Sequence, residues 1–200
     1  MFVKNWGLCH SKRTSSCQYA TIIEELCHHF SLADIRKSTN NFDLKRLIYR
    51  EGYAEVYKGC LQHDGSDYTV TIKQFKKDMP KEWDMFKNEI ELLCQLCHPN
   101  IVSFVEFCNH KKEKILVYEY LSNGSLDQHI ESGKLSWKKR VEICIAAARG
   151  LHYLHAGAKR TIIHRDIHPR NILLDANMEP KLSDFGFSVQ GQRFIKSKAN

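Results

Sequence analysis

A change of hydrophobic period near residue 80 constrains this chain more than any other feature. Before it, "RLIYREG", "AEVYKGCLQ" and "DYTVTIKQF" are short, alternating, β-branched runs, punctuated by Gly52, Gly59 and "HDG" at 63–65. Such runs predict strands joined by hairpins. From 81 to 97 the period becomes helical: Phe86, Ile90, Leu93, Cys94 and Cys97 form one stripe, and Pro99 is expected to stop the helix. Strand-like runs return in "IVSFVEFC" and "KILVYEYL", around a basic turn at 110–114, and "SNGS" at 122–125 reads as a turn. The longest helical pattern is 137–156, with Val141, Cys144, Ile145, Ala148, Leu151 and His155 on one face. "NILLD" and "PKLSD" then read as short strands joined by a turn at Asn177. Upstream, "FSLADIRKSTNNF" predicts a helix: Ser31 can cap it, Asp34 follows three residues on, and Leu32, Ile35 and Phe42 are the apolar positions. The order implies an α+β chain, an antiparallel sheet interrupted by one helix and followed by a helical region, with the boundary near 120–125.

Composition narrows the function classes. An apolar fraction of 42% and a charged fraction of 26% suit a globular chain. The net charge of +7 is spread over mixed clusters such as "HKKEK" and "WKKR", which read as solvated faces rather than a nucleic-acid groove. No run of about 18 apolar residues predicts a membrane span, and the opening "MFVKNWGLCHSKR" lacks the apolar core of a secretory leader. A cytoplasmic chain with its eight cysteines as free thiols is therefore expected. "CQLCH" at 94–98 has haem-attachment spacing, but Cys94 and Cys97 continue the apolar stripe and are expected to be small buried hydrophobes.

The chemistry sits in an ordered set of residues. Glu89 lies beside the buried stripe of its helix, where a carboxylate needs a partner. Lys73 is on the strand before that helix, sharing a face with Thr71 and Phe75, so an ion pair is expected. In "IIHRDIHPRNILLD", Asp166 can accept a hydroxyl proton and Asn171 can ligate a metal, and "DFG" at 184–186 supplies Asp184 as a second ligand. Each triplet alone is a weak signal. The ordered set provides a cation for phosphates, a carboxylate to fix it, metal ligands and a base.

With those residues in view, the chain resembles a protein kinase, and among kinases a plant receptor-like Ser/Thr kinase of the FERONIA-type, malectin-like subgroup. The resemblance is carried by "FSLADIRKSTNNF", "VYKG", "NEIELLCQL", "HPNIVS", "ILVYEYLSNGSL", "LSWKKRVEICIAAARGLHYLHAGAKRTIIHRD" and "NILLD", and it covers about residues 28–196. It implies a kinase-like fold. Residues 1–29 would be a flexible basic, cysteine-containing arm, 30–119 the sheet lobe with its preceding helix, and 120–200 the hinge and a partial helical lobe ending just after the DFG triplet. It implies ATP and Mg²⁺ as cofactors, and a protein substrate or partner kinase, at the cytosolic face of the plasma membrane or elsewhere in the cytoplasm. Asp166, Lys73, Glu89 and His168 would be catalytic, and Asn171 and Asp184 the metal ligands. Val56, Thr71, Lys73, Glu119, Leu121 and Leu173 would contact nucleotide, with Tyr118 at the gatekeeper position. Leu93, His164 and Phe185 would form the packed regulatory stack, and Arg165 would grip a phosphorylated activation loop.

The chain also departs from that family. Its glycine-rich loop is "YREGYAEV", with Tyr49, Glu51 and Ala54 in the three glycine positions. Glycines there let backbone approach phosphate, and Glu51 adds negative charge. Thr71 replaces an alanine beside adenine. His168 replaces a lysine, and histidine, with an ordinary pKa of about 6.5, is mostly neutral at pH 7. Fourteen residues follow Gly186, too few for the family's activation and substrate-docking segments. That shortness is expected to leave the 137–156 helix with an uncovered apolar face. The expected function is ATP-dependent Ser/Thr phosphorylation, impaired in this chain. The alternative is a non-catalytic pseudokinase fragment, acting as an interaction module or having no role.

Overall fold

The structure is a computed structural model and describes residues 31–63, 65–76, 80–110, 113–133 and 135–191. The expected arm at 1–29 lies outside them. Helix α1 (Leu32–Ser38) opens the fold as its capping residues require. The Ser31 hydroxyl accepts the Asp34 N–H at 3.2 Å, and the Asp34 carboxylate accepts the Ser31 N–H at 2.8 Å. Ile35 is fully buried with Tyr57 and Leu61, and Phe42 meets the Tyr57 ring edge-on at 5.4 Å.

Five antiparallel strands follow: β1 (Leu47–Arg50), β2 (Ala54–His63), β3 (Ser66–Phe75), β4 (Phe104–His110) and β5 (Glu113–Glu119). Their order is β1-β2-β3-β5-β4. The central strand β3 carries Lys73, paired in register with Val56 on one side and Leu116 on the other. Between β3 and β4 runs helix α2 (Pro80–Leu93), which buries Met85, Phe86, Glu89, Leu92 and Leu93. Its N–H bonds tighten to i→i−3 spacing at Gln95 and Leu96, so the helix has already unwound before Pro99. The proline is not what stops it. Cys97 lies past that end and is exposed, and Cys94 is half-buried. The expectation that both are buried fails because the stripe stops with the helix.

The second half holds α3 (Leu126–Glu131) and α4 (Trp137–His152), which continues into one wider π turn at Tyr153–Gly157. Two short antiparallel pairs flank them: β6 (Ile162–Ile163) with β9 (Val189–Gln190), and β7 (Ile172–Leu174) with β8 (Pro180–Leu182). One apolar core spans both halves through Phe86, Leu93, Ile101, Leu116, Leu182 and Phe185. The expected α+β architecture is present. Among the described residues, no helix is long and apolar enough to cross a membrane.

Helix α4 presents the exposed apolar face expected of it. Its buried stripe is Ile143, Ala146, Gly150 and Leu154, while Val141, Cys144, Ile145 and Ala148 face outward. The helix comes so close to the loop before β4 that a Cβ on Gly150 would sit 2.7 Å from the Asn100 carbonyl oxygen. Ala146 and Gly150 allow this close approach between Ile143 and Leu154, while Leu151, expected on the outer face, is half-buried.

Candidate active site

The site forms where β3, α2 and the residues after β8 meet. Lys73 is 4% exposed and Glu89 1%, and the Lys73 Nζ lies 3.2 Å from Glu89 Oε2, the ion pair expected from the sequence. The same Nζ lies 3.1 Å from Asp184 Oδ1 and 3.8 Å from Glu51 Oε2. Burial acts to lower the Lys73 pKa, but Glu89 and Asp184 override it and hold the ammonium well above its ordinary value. Burial also acts to raise the Asp184 pKa, and here Lys73 and the Tyr53 hydroxyl win and keep it below the usual carboxylate value. Glu89 goes the other way: its burial outweighs Lys73, and its pKa is raised. Three carboxylates around one ammonium leave excess negative charge where a phosphate would have to come.

Asp166 and Asn171 lie below. The Asn171 amide donates to the Asp166 main-chain oxygen at 3.0 Å and to its Oδ2 at 2.9 Å. Both N–H groups are thus spent, and the amide oxygen is the atom left for a cation. His164 is 1% exposed, and burial lowers its pKa. Its Nδ1 accepts the Asp166 N–H at 3.3 Å, so Nε2 carries the proton and donates to the Ser183 carbonyl at 3.0 Å. One neutral histidine therefore ties the Asp166 loop to the residue before Asp184. His168 Nε2 is 3.6 Å from Asp166 Oδ1. Asp184 itself takes a left-handed backbone, φ 63°, as does Arg165 at φ 69°, conformations that cost strain in residues with a Cβ.

The candidate adenine end is lined by Val56, Thr71, Tyr118, Glu119 and Leu173, with Tyr49 at its edge. Leu121, expected to contact nucleotide, is buried and does not line it. The Glu119 carboxylate accepts the Ser103 N–H at 2.7 Å and pairs with Lys181 at 2.7 Å, which clamps β5 to β8. The free space in this cleft is about 30 Å³, enough for little more than water, whereas ligand cavities run to about 300–1,000 Å³. The Leu93, His164 and Phe185 side chains are packed together in the core as expected, with the His164 and Phe185 rings 4.8 Å apart.

A kinase-family model, protein tyrosine and serine/threonine kinase, matches residues 42–199. The chain belongs to the protein kinase family. It is 43% identical to the receptor-like protein kinase FERONIA of Arabidopsis thaliana over 194 residues, which cover 93% of this chain and 22% of that protein. It is 44% identical to ANXUR2 over 183 residues (90% and 21%) and 43% identical to THESEUS 1 over 185 (91% and 21%), both receptor-like protein kinases of the same plant. This kinase chain thus spans about a fifth of the length of the relatives it matches.

Mg²⁺ and ATP are the groups such a family implies. Among the described residues, no cluster of three or more His, Cys, Asp or Glu side chains is suited to a metal. Asn171 and Asp184 fit Mg²⁺ only as a shared site, because Mg²⁺ is usually held by one or two carboxylates together with phosphate oxygens and waters. Two residues that the sequence reading missed shape this kinase site. The Asn88 amide donates to the carbonyls of Phe185, Gly186 and Ser188 at 2.8–3.1 Å, fastening the DFG turn to α2. Tyr53 donates its hydroxyl to Asp184 Oδ2 at 2.5 Å. No sequence signal marks Asn88, and Tyr53 sits in a loop read only for its missing glycines.

Proposed function

We propose that this kinase chain binds Mg²⁺·ATP weakly and that its transfer of phosphate to protein Ser/Thr is impaired. In this reading Asp166 is the base that takes the proton from the acceptor hydroxyl. Lys73, fixed by Glu89, faces the phosphates, and Asn171 and Asp184 hold the metal. Val56, Thr71, Glu119, Leu121 and Leu173 line the nucleotide end. When bound, ATP supplies the phosphoryl group and Mg²⁺ neutralises its charge. The observation that carries the reading is the Lys73 ammonium, shared among Glu89, Asp184 and Glu51 within 3.2, 3.1 and 3.8 Å. The apparatus for phosphate binding is assembled, but a carboxylate already faces the cation. Tyr49 and Thr71 line the same cleft, and Ala54 takes the third glycine position beside it. His168 stands where a lysine would give a permanent charge, and loss of one such stabiliser commonly costs on the order of 10²-fold in rate. By similarity to receptor-like kinases, the chain works in the cytoplasm, on the inner face of the plasma membrane, with a protein substrate or another kinase as partner.

A second reading, a non-catalytic interaction module, is supported by a different observation. Trp137, Val141 and Ile145 recur every four residues on the outer face of α4, and Trp137 is 79% exposed and Ile145 49%. Calorimetry of the full chain with ATP, with and without Mg²⁺, separates the two. Weak, metal-dependent binding that strengthens when Glu51 and Ala54 become Gly and Thr71 becomes Ala supports the impaired kinase. Tight binding without metal contradicts it, and no binding by wild type or the reverted chain favours the interaction module.

A further inference from the structure

We infer that Tyr53 is a gate on Asp184: its hydroxyl pins the turn between β1 and β2 to that carboxylate and competes with a metal for it. This rests on the reading of Asp184 as a metal ligand. Three observations on separate elements support it. The hydroxyl donates to Asp184 Oδ2 at 2.5 Å, while Lys73 takes the other oxygen, Oδ1, at 3.1 Å, so both carboxylate oxygens are engaged. The Tyr53 ring has a built seat, 6.2 Å from the Phe75 ring, 6.1 Å from that of Phe187, and under the Lys73 ammonium at 5.1 Å. Phe187 lies just beyond the DFG turn, so the tyrosine bridges the sheet lobe to the segment that carries Asp184. The turn is fastened from behind as well: the Tyr53 carbonyl accepts the Lys76 N–H at 3.0 Å, and the Gly52 carbonyl accepts the Lys76 ammonium at 2.9 Å.

A divalent cation at Asp184 must compete with the Tyr53 hydroxyl for Oδ2 and with Lys73 for Oδ1. Metal-assisted nucleotide binding therefore works against a charge-assisted hydrogen bond, one of the stronger kinds in a protein. Nucleotide without metal makes no claim on Asp184, and its affinity does not carry that cost. Tyr53 is in this sense a positioning residue that sets how much the metal contributes. Phenylalanine in its place keeps the ring seat and removes only the hydroxyl.

The test compares the full-length wild-type chain with Tyr53→Phe by two readouts. The first needs no nucleotide: hydrogen exchange of the backbone amides at 50–55. The Glu51 N–H is bonded to the Ala54 carbonyl at 2.8 Å in the closed turn, so exchange there should quicken in Tyr53→Phe. The second is calorimetry with ADP and ATP, each with and without Mg²⁺. Tyr53→Phe should tighten binding of the Mg²⁺ complexes by about tenfold, the scale of one hydrogen bond to a charged group, and leave metal-free affinity unchanged. Unchanged exchange overturns the gate, and so does a gain of equal size with and without Mg²⁺. If neither protein binds any nucleotide, the kinase reading fails while the exchange experiment still decides the gate. A thermal melt checks that the variant is folded.

Discussion

The two ends of the cleft are built on different terms. At the lower end, each candidate catalytic residue also holds the fold together. Asn171 anchors Asp166, the Ser183 hydroxyl donates to the Asn171 carbonyl at 3.1 Å, and His164 joins both strands of that loop pair. At the upper end, Tyr49 lies on β1, Ala54 on β2 and Glu51 in the turn between them, where the proposed reading expects phosphate contacts. The difference teaches that an active site can lose its phosphate contacts without losing its shape. The Glu51 N–H is already satisfied by the Ala54 carbonyl without a ligand, whereas a side chain with a buried structural bond cannot change without cost.

Substitutions at the two ends should therefore diverge, and the largest effect should come from the centre that joins them. Lys73→Met strips the counter-charge from Glu89 and Asp184 together. Breaking a buried pair by removing one partner costs about 3–5 kcal/mol, and urea unfolding should show a loss of that size. A change of under about 1 kcal/mol would mean the carboxylates are already neutral, and the comparison would break. Asn171→Ala at the lower end should cost about 1–3 kcal/mol, because Asp166 loses two donors. An upper-end change of Glu51→Gln should cost nothing measurable at neutral pH, and a loss equal to that of Asn171→Ala would erase the contrast.

Glu51→Gln also sharpens the contrast through pH. Burial first, against the pull of Lys73, raises the Glu51 pKa above its ordinary 4.5. The folded state therefore holds this proton more tightly than the unfolded chain. The stability it gives is complete below that unfolded value of 4.5 and is lost as pH rises through the folded one. Asp184 has the opposite sign: its depressed pKa gives stability that is present above about 3.9 and lost as pH falls. Melting curves from pH 4 to 7 should show Glu51→Gln gaining on wild type as pH rises. A gap that shrinks with rising pH would show that Glu51 is a favourable partner of Lys73. The smallest effect belongs far from the cleft, where Ser31→Ala should cost about 1 kcal/mol through the lost cap of α1 and leave nucleotide affinity untouched.

Much of this was legible in the sequence because it was written in charge and period. Lys73 falls on a strand with period two, and Glu89 falls on the buried side of a helix, so their meeting followed from the two patterns. The Ser31–Asp34 box was read from spacing alone. Helix α4 reads as a helix with an exposed apolar face, but the pattern does not show its core contact, because Ala146 and Gly150 there are small residues that allow close approach. Cys97 was assigned to a stripe that the chain had already left. The Tyr53 and Asn88 bonds to the residues around the DFG triplet span more than 90 positions in sequence. No local pattern encodes such a pair; it exists only once both lobes have folded against each other.

In the proposed reading a kinase centre is assembled while its phosphate end is obstructed. The most direct test is transfer from Mg²⁺·ATP to a generic protein substrate, at saturating nucleotide, by the full chain purified free of other kinases, beside its Asp166→Asn and His168→Lys variants. The account predicts that wild type falls far below the rate of an unobstructed receptor-like kinase domain, with only a partial gain in His168→Lys because Glu51 and Tyr53 remain. Robust wild-type transfer that disappears in Asp166→Asn would contradict it.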